Sequence, residues 1–275
     1  MQSFNKTNNK AIIWKGNNNM QRILSHLRRA VDEYKLIEDG DRIAVGVSGG
    51  KDSLVLLKAL AIYSKFSPQK FSLVAITIDM FAGKSNFDDI KTLCEELGVE
   101  YHIINSDIYQ IVFEERKESN PCSLCAKLRR GMLNTTALSF NCNKLALGHS
   151  ADDLIHTFLL SLMYEGRLST FLPKLYMDRT GMTVIRPLIL TDERDIISVA
   201  KTLPVHKSNC PVDKHTKREY MKELINHIHK EIPFAKDRIF SAITHPERYN
   251  LLDKAYQDEP YWNKKDNKPT KKEQE

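Results

Sequence analysis

Three short clusters of residues in this 275-residue chain have side chains and spacing suited to chemistry. The first is "SGGKDS", residues 48–53, between the apolar runs "RIAVGV" and "LVLLKALAIY". A turn from strand to helix points backbone N–H groups at one spot, beside the positive end of the helix dipole. It is not a Walker A loop, because Val45 stands where the first glycine is required and Asp52, not Ser or Thr, follows Lys51. The cluster predicts a phosphate-binding loop of another kind.

The composition of this loop suits an anion. Glycine allows a sharp turn and lets an anion come close to the backbone, while lysine adds a full charge and serines add hydroxyl groups. Two glycines alone would indicate a plain turn, but the whole motif directly after a buried strand favours phosphate binding. The residues predicted to bind phosphate are Ser48, Gly49, Gly50, Lys51, Asp52 and Ser53.

The second cluster is "LALGHSADD", residues 145–153, where a short apolar strand leads through Gly148 and His149 to two adjacent carboxylates. Asp152 and Asp153 stand at the start of the next helix, where acidic residues often only cap the helix and pair with its dipole. Paired carboxylates beside a triphosphate also suit Mg²⁺, which prefers oxygen ligands. We predict a metal or phosphate role for both acids, with Gly148 at the nucleotide.

The third cluster consists of cysteines. Cys122 and Cys125 in "NPCSLCAKLRRG" have the spacing of two metal ligands at the start of a helix, and Cys210 lies in the loop-like stretch "KSNCPVD". Zinc would need a fourth ligand such as His206 or His215. A 4Fe-4S cluster on three thiolates keeps one iron open to an outside ligand, and a redox or persulfide pair is the third alternative. The residues alone leave these alternatives open.

The other two of the five cysteines have a different setting. Cys94 lies among apolar helix positions and Cys142 just before a strand, so both are predicted to be ordinary, half-buried thiols. An odd number of cysteines in a chain of this size argues against a disulfide framework. The cysteines therefore indicate metal binding or thiol chemistry.

Composition and charge limit the class of protein. Hydrophobic residues make up 41% of the chain, enough for a substantial core in one or two domains. No apolar run approaches the roughly 18 residues of a membrane span, and the N-terminus lacks the apolar stretch of a signal peptide, so a cytoplasmic protein without a membrane partner is predicted. The net charge of +6 suits a polyanionic partner. Basic residues that suit RNA phosphates follow the cysteine pair: Lys127, Arg129 and Arg130.

These clusters need a scaffold that brings strand ends together. From Arg42 to Leu188, short β-branched runs alternate with helix-like runs, which predicts parallel strands joined by right-handed crossovers. The predicted fold is α/β, a doubly wound, mainly parallel sheet with an N-terminal helix and a C-terminal helical extension. Ligands of such sheets sit beyond the carboxyl ends of the strands, where the first two clusters lie.

The motif "SGGKDS" resembles the PP-loop of the ATP pyrophosphatases, and "LALGHSADD" resembles the second signature of that family. The resemblance implies ATP cleavage between the α and β phosphates, adenylate transfer to a substrate, and Mg²⁺ at the phosphates. It also implies that Asp79 receives the adenosine and that Arg186 in "IRPL" contacts nucleotide or substrate; a strand-terminating acid and a surface ion pair are the structural alternatives. The implied divisions are an N-terminal segment and helix at 1–40, the PP-loop ATP-binding α/β domain at 41–190, a helical extension at 191–255 and a disordered tail at 256–275.

The combination of "SGGKDS", "CSLCAKLRRGML", "LALGHSADD", "IRPL" and "NCPVD" is similar to the tRNA 2-thiocytidine synthetase (TtcA) family. The resemblance implies an ATP-dependent tRNA sulfurtransferase that adenylates the 2-carbonyl of cytidine 32 in the anticodon loop and replaces its oxygen with sulfur. It implies a 4Fe-4S cluster on Cys122, Cys125 and Cys210, which join Lys51 and Asp52 as the catalytic set. The implied partners are tRNA and a sulfur donor such as a cysteine desulfurase; a homodimer is left open.

Two other classes of function remain open from the sequence. One is another PP-loop adenylating enzyme, thiouridine-forming or acting on a small molecule, with a zinc site. The other is a non-catalytic nucleotide-binding or RNA-binding module, which would bind ATP without releasing pyrophosphate.

Overall fold

The computed structural model describes residues 18–83, 85–116, 121–206 and 216–248. Its strands are β1 Arg42–Gly46, β2 Ser72–Asp79, β3 Glu100–Asn105, β4 Lys144–Ala146, β5 Lys174–Met177 and β6 Met182–Ile185. Its helices are α1 Asn18–Tyr34, α2 Lys51–Tyr63, α3 Asp88–Leu97, α4 Pro121–Ser139, α5 Ala151–Leu160, α6 Glu193–Ala200, α7 Lys217–Glu231 and α8 Ala235–Thr244. Short π-helical segments at Gln110–Glu115 and Ser161–Glu165, and a 3₁₀ turn at Pro246–Arg248, complete the described elements.

The six strands form one sheet in the order β3-β2-β1-β4-β6-β5. Neighbouring strands from β3 to β6 pair in parallel, and β5 alone runs antiparallel, against β6. The first strand sits in the middle, since β2 and β3 extend the sheet on one side and β4 and β6 on the other. This order confirms the predicted doubly wound, mainly parallel sheet.

Helices cover both faces of the sheet, which explains why β1 is apolar at its buried positions after Arg42. Ile43 and Val45 pack into a core shared with α1, α2, α3 and α6, whereas Ala44 points into a second core beneath α4. Successive side chains of a strand face opposite sides, so a central strand with two covered faces has no polar position. A third apolar cluster joins α5, α7 and α8. Among the described residues, no helix is both long and apolar enough to cross a membrane.

The sequence pattern predicted most elements but missed β5. This strand forms a hairpin with β6, and its residues Leu175 and Tyr176 are exposed. Its side chains do not alternate between buried apolar and exposed polar positions. The strand forms because it pairs with β6, and the local sequence pattern carries no sign of that pairing. Helix α3 ends at Gly98, which caps it with a left-handed φ of +69°. The domain boundaries stay a prediction.

A buried ion pair fixes the edge of the sheet opposite the strand ends that carry the motifs. The Nζ of Lys144, at the start of β4, lies 2.7 Å from Oδ2 of Asp41, and both side chains are 3% exposed. Lys144 also donates to the backbone oxygen of Leu36, while Asp41 accepts from Asn143 and from the backbone N–H of Glu38. The pair therefore joins the segment between α1 and β1 to the start of β4.

Lys144→Met is expected to lower the free energy of unfolding by about 3 kcal/mol, because it leaves the buried carboxylate of Asp41 without its cation. Urea denaturation followed by circular dichroism measures the change. Lys91→Met, at an exposed position of α3, is the matched control and should stay within about 0.5 kcal/mol of the parent. Equal stability of the two variants would show that the pair contributes nothing.

Candidate active site

The loop between β1 and α2 is held in shape by its own residues. Gly49 has a φ of +78°, a conformation that side chains other than glycine's rarely tolerate. The hydroxyl of Ser53 accepts from the backbone N–H of Ser48 at 3.1 Å and donates to the carbonyl of Gly50 at 2.9 Å. Gly50 caps α2 without a side-chain hydrogen bond to the helix. The N–H groups of the first turn are therefore left for an external anion.

His206 covers the back of this loop. Its backbone N–H donates to the carbonyl of Gly49 at 2.9 Å, and a side chain at Gly49 would meet the His206 Cβ at 3.3 Å. The ring stacks on Phe87 and its Nε2 lies 2.9 Å from both carboxylate oxygens of Asp89. His206, considered above as a zinc ligand, is thus placed against the loop, and His215 lies outside the described residues.

A cavity of about 390 Å³ opens at the carboxyl ends of β1, β2 and β4, beneath α4. One wall is apolar and includes Val47, Ile76, Ile78 and Leu133. The other walls carry polar groups from the loop, from the turn after β4 and from α4, and among them are most of the residues that the sequence predicted to bind nucleotide or RNA. These predicted residues are Ser48, Gly50, Asp52, Ser53, Gly148, Asp153, Arg129 and Arg130, and His149 lies beside them.

Gly148 is where the two motifs touch. A Cβ on Gly148 would lie 2.9 Å from the backbone carbon and oxygen of Asp52 and 3.1 Å from the backbone nitrogen of Ser53. Real Cβ atoms essentially never come that close to backbone, so only glycine lets the turn after β4 reach the first turn of α2. The second motif therefore forms a wall of the phosphate site.

The two adjacent aspartates of the second motif face different ways. Asp153 lines the cavity and forms a capping box with Ser150 at the start of α5. Asp152 is not among the cavity residues; it accepts from the backbone N–H of Glu193 at 2.7 Å and from Lys236 Nζ at 3.1 Å. Neighbours on a helix point about 100° apart. The structure thus separates a cavity carboxylate from one that ties α5 to α6 and α8.

Asp52 is the second carboxylate in the cavity. Burial raises its pKa, the cation of Lys51 lowers it, and the charge of Asp153 raises it again, so that the pKa stands above its usual value. A carboxylate whose ionisation is opposed by burial and by a neighbouring negative charge is stabilised in its ionised form by a nearby cation. Among the described residues no three His, Cys, Asp or Glu side chains come together, so a dication here would also need phosphate or water oxygens.

The side chain of Lys51 points away from the cavity and forms an ion pair with Glu193 at the start of α6. Its Nζ lies 2.8 Å from Asp52 and 3.0 Å from Glu193, and Glu193 also binds Lys222 of α7 at 3.2 Å. Burial alone would lower the pKa of Lys51, but the two carboxylates outweigh it and raise the pKa. Sequence reasoning missed Glu193; an acid just after the last strand was the available signal.

Asp79 is buried, and its carboxylate is occupied by the loop that follows β2. It accepts from the backbone N–H of Phe81 at 3.0 Å and from the hydroxyl of Ser85 at 2.7 Å. Burial would raise the pKa of Asp79, but these hydrogen bonds outweigh it and lower the pKa. Asp79 therefore orders the loop that follows β2 and does not line the cavity.

The side chain of Arg186, directly after β6, also contacts other protein groups. Its Nε donates to Nδ1 of His149 at 3.2 Å, its NH1 donates to the carbonyl of Leu172 at 2.6 Å, and the guanidinium lies 4.9 Å from the ring centroid of Phe171. The residue is 9% exposed. Arg186 thus reaches the cavity through His149.

The cysteine pair lies in the first turn of α4. Cys122 is exposed, and the Cys125 thiol lies 3.6 Å from the sulfur of Met80, directly after β2. Cys210 lies outside the described residues. Cys94 and Cys142 are both buried, and burial raises the pKa of each thiol, to about 12 for Cys94. The two remaining cysteines are therefore core residues, more deeply buried than predicted. Lys127 is exposed on α4.

The fold and the cavity define a nucleotide-binding protein of the PP-loop class, and residues 18–227 match the PP-loop domain family. The chain is 40% identical over 242 residues to a tRNA-cytidine(32) 2-sulfurtransferase of Geobacter metallireducens, covering 86% of this chain and 94% of the relative. It is 42% identical over 239 residues to the enzyme of the same name from Geotalea daltonii, covering 85% and 95%. The chain belongs to the PP-loop family of tRNA-cytidine(32) 2-sulfurtransferases.

A solved structure with the same fold comes from an archaeal relative. It is the U34-tRNA thiolase NcsA from Methanococcus maripaludis with its 4Fe-4S cluster. The two chains are 25% identical with a TM-score of 0.67, over 86% of this chain and 81% of NcsA.

Gly148→Ala is expected to weaken ATP binding at least about tenfold, because the added methyl group pushes the turn after β4 away from the backbone of Asp52. Calorimetric titration with ATP measures the affinity. Gly131→Ala is the matched control: a Cβ there meets nothing within 4 Å, and alanine in the middle of α4 should stabilise the helix with ATP affinity unchanged. Equal ATP affinity in both variants would contradict the close contact.

Proposed function

We propose that this chain is an ATP-dependent tRNA sulfurtransferase, which adenylates the 2-carbonyl of cytidine 32 and replaces its oxygen with sulfur. One observation carries the proposal: helix α4 begins with Cys122 and Cys125, and it places Arg129 and Arg130 on the nucleotide cavity. Cys125 and Arg129 are four residues, or about 6 Å, apart along the helix axis. A sulfur-carrying site and an adenylation site are thus within reach of one substrate base.

We propose one orientation for ATP in this cavity. The triphosphate belongs at the open N–H groups of α2, where Ser48 and Gly50 line the cavity. The adenosine belongs on the apolar wall of Val47 and Ile78, beside the loop that Asp79 holds in place. Mg²⁺ fits between the phosphates and the cavity carboxylates of Asp52 and Asp153, where it would neutralise phosphate charge.

The chemistry has two displacements. The 2-carbonyl oxygen of cytosine attacks the α-phosphorus and pyrophosphate leaves, so that a poor leaving oxygen becomes part of AMP. A sulfur nucleophile then attacks carbon 2 and AMP leaves. The loop residues hold the reacting phosphates in place, and catalysis rests on positioning and charge stabilisation. We assign to Lys51 the charge of the departing pyrophosphate, a role that requires its Nζ to leave Glu193.

The donor set of α4 fits an iron-sulfur cluster. The two thiols are three residues apart in the first helical turn, one exposed and one partly buried, beside the cavity. Cys122, Cys125 and Cys210 would hold a 4Fe-4S cluster, which supplies the site from which sulfur reaches the activated carbon. A cysteine desulfurase is the proposed source of that sulfur.

The RNA reaches the cavity past basic residues of α4. Arg129 and Arg130 line the cavity and Lys127 is exposed beside them, so these side chains suit phosphates on either side of an extruded base. Single-stranded loop nucleotides are the RNA elements whose base edges a protein can reach. We further propose that the enzyme acts in the cytoplasm, where its tRNA substrate resides.

The test uses tRNA from a strain that lacks the gene, complemented with variants of this chain. Digested tRNA from the deletion strain should lack 2-thiocytidine, the wild-type gene should restore it, and Cys122→Ser should not. Cys142→Ala, which changes a buried thiol away from the cavity, is the control and should restore the nucleoside. Persistence of 2-thiocytidine in the deletion strain would overturn the proposal. Iron analysis of anaerobically purified protein separates a cluster from zinc.

Asp153→Asn is expected to raise the Mg²⁺ concentration needed for half-maximal AMP formation at least about tenfold, because it removes one cavity charge. Asparagine retains a side-chain oxygen for the cap of α5, so the helix start is preserved. Asp152→Asn should leave the Mg²⁺ dependence unchanged and lower thermal stability, because its partner is Lys236. The reverse ranking would assign the metal to Asp152.

A further inference from the structure

His149 sits between the cavity and a buried arginine. It lines the cavity, while its Nδ1 accepts a hydrogen bond from Nε of Arg186 at 3.2 Å and its ring lies 4.9 Å from that of Phe171. Within the described part of the chain, Arg186 has no carboxylate partner; its other hydrogen bond goes to the carbonyl of Leu172. The hydrogen bond from the guanidinium therefore orients the imidazole of His149.

The hydrogen bond determines the state of the imidazole. A guanidinium can only donate, so Nδ1 must keep its lone pair and the ring proton must be on Nε2. Burial and the charges of Arg186, Arg218 and Arg130 lower the pKa of His149 to about 4, against the opposing effect of Asp153. His149 is thus a neutral imidazole with a single tautomer at neutral pH.

We propose that His149 is a catalytic residue whose Nε2–H donates to a non-bridging oxygen of the α-phosphoryl group, and that Arg186 is the positioning residue that fixes this donor. The inference rests on the proposed function. With the pyrophosphate at the start of α2 and the adenosine on the apolar wall, the α-phosphoryl group lies between them. His149 lines the same cavity and directly follows Gly148, which lies against the backbone of Asp52 at the start of α2.

A donor of this kind suits both displacements. Negative charge on the α-phosphoryl oxygens is present as pyrophosphate departs and again as AMP leaves carbon 2. A hydrogen bond aimed at that charge and held in advance lowers both barriers without any reorganisation or proton transfer. The neutral ring donates its Nε2–H as a hydrogen bond and keeps that proton, so no proton passes to the phosphate.

The first test measures the tautomer and does not depend on activity. In protein labelled with ¹⁵N-histidine, long-range ¹⁵N–¹H spectra should show His149 with bare Nδ1 and protonated Nε2, the signal being identified by its loss in His149→Gln. Arg186→Met should abolish this preference for one tautomer. A protonated Nδ1 in the wild type, or an unchanged tautomer in Arg186→Met, would overturn the positioning role.

The second test measures single-turnover AMP formation with saturating ATP and tRNA. His149→Leu should slow it about 100-fold, the usual effect of removing one such donor, with the Kd for ATP within about threefold. His149→Gln places an amide N–H near the position of Nε2 and should recover most of the rate. His102→Gln, at a partly exposed histidine of β3 that does not line the cavity, should react at the wild-type rate.

Arg186 is tested through a double-mutant cycle. Arg186→Met should slow AMP formation in the wild-type background and add nothing in the His149→Leu background, because it acts through the imidazole. Additive losses, or a His149→Leu enzyme with a normal rate, would overturn the proposal. If the wild type formed no AMP with tRNA, the proposed function would fail, while the tautomer measurement would still stand.

Discussion

The parallel pairing of β1 with β4 is the constraint on which the site depends. Both strands are followed by a turn and a helix, and the pairing sets the two turns side by side at one edge of the sheet. The turns then approach so closely that Gly148 touches the backbone of Asp52. The phosphate loop, the cavity carboxylates and His149 all take their places from this contact.

Charge balance is the second principle of the site. The starts of α2, α5 and α6 bring carboxylates together beside basic side chains from α2, α7 and α8, and each carboxylate has a cationic partner within 3.6 Å. The carboxylates are Asp52, Asp152, Asp153 and Glu193, and the cations are Lys51, Arg218, Lys222 and Lys236. Because these four carboxylates and four cations balance, the network offers little positive charge to the negatively charged triphosphate. This is a physical reason for ATP to bind together with a dication. It also gives the C-terminal helices a part in the nucleotide site.

Helix α4 links the two halves of the proposed reaction. Its start carries the cysteine pair, of which Cys125 contacts Met80 directly after β2, and its next two turns line the cavity. One rigid element therefore sets the distance between the sulfur site and the phosphates. In the proposed reaction, the RNA would bind along the basic residues of the same helix.

The sequence alone determined the elements and the kind of chemistry, because these depend on local patterns. Apolar runs predicted the central strands and their helices, "SGGKDS" predicted a phosphate loop, and the cysteine spacing predicted a metal or sulfur site. The sequence pattern did not predict the hairpin strand β5, because this strand depends on its pairing with β6 and not on a local apolar pattern. Only the tertiary structure decided that Asp153 and not Asp152 faces the cavity, that Lys51 turns to Glu193, and that Arg186 acts on His149. Those outcomes depend on contacts between residues far apart in the chain, whose directions are fixed when helices pack on the sheet.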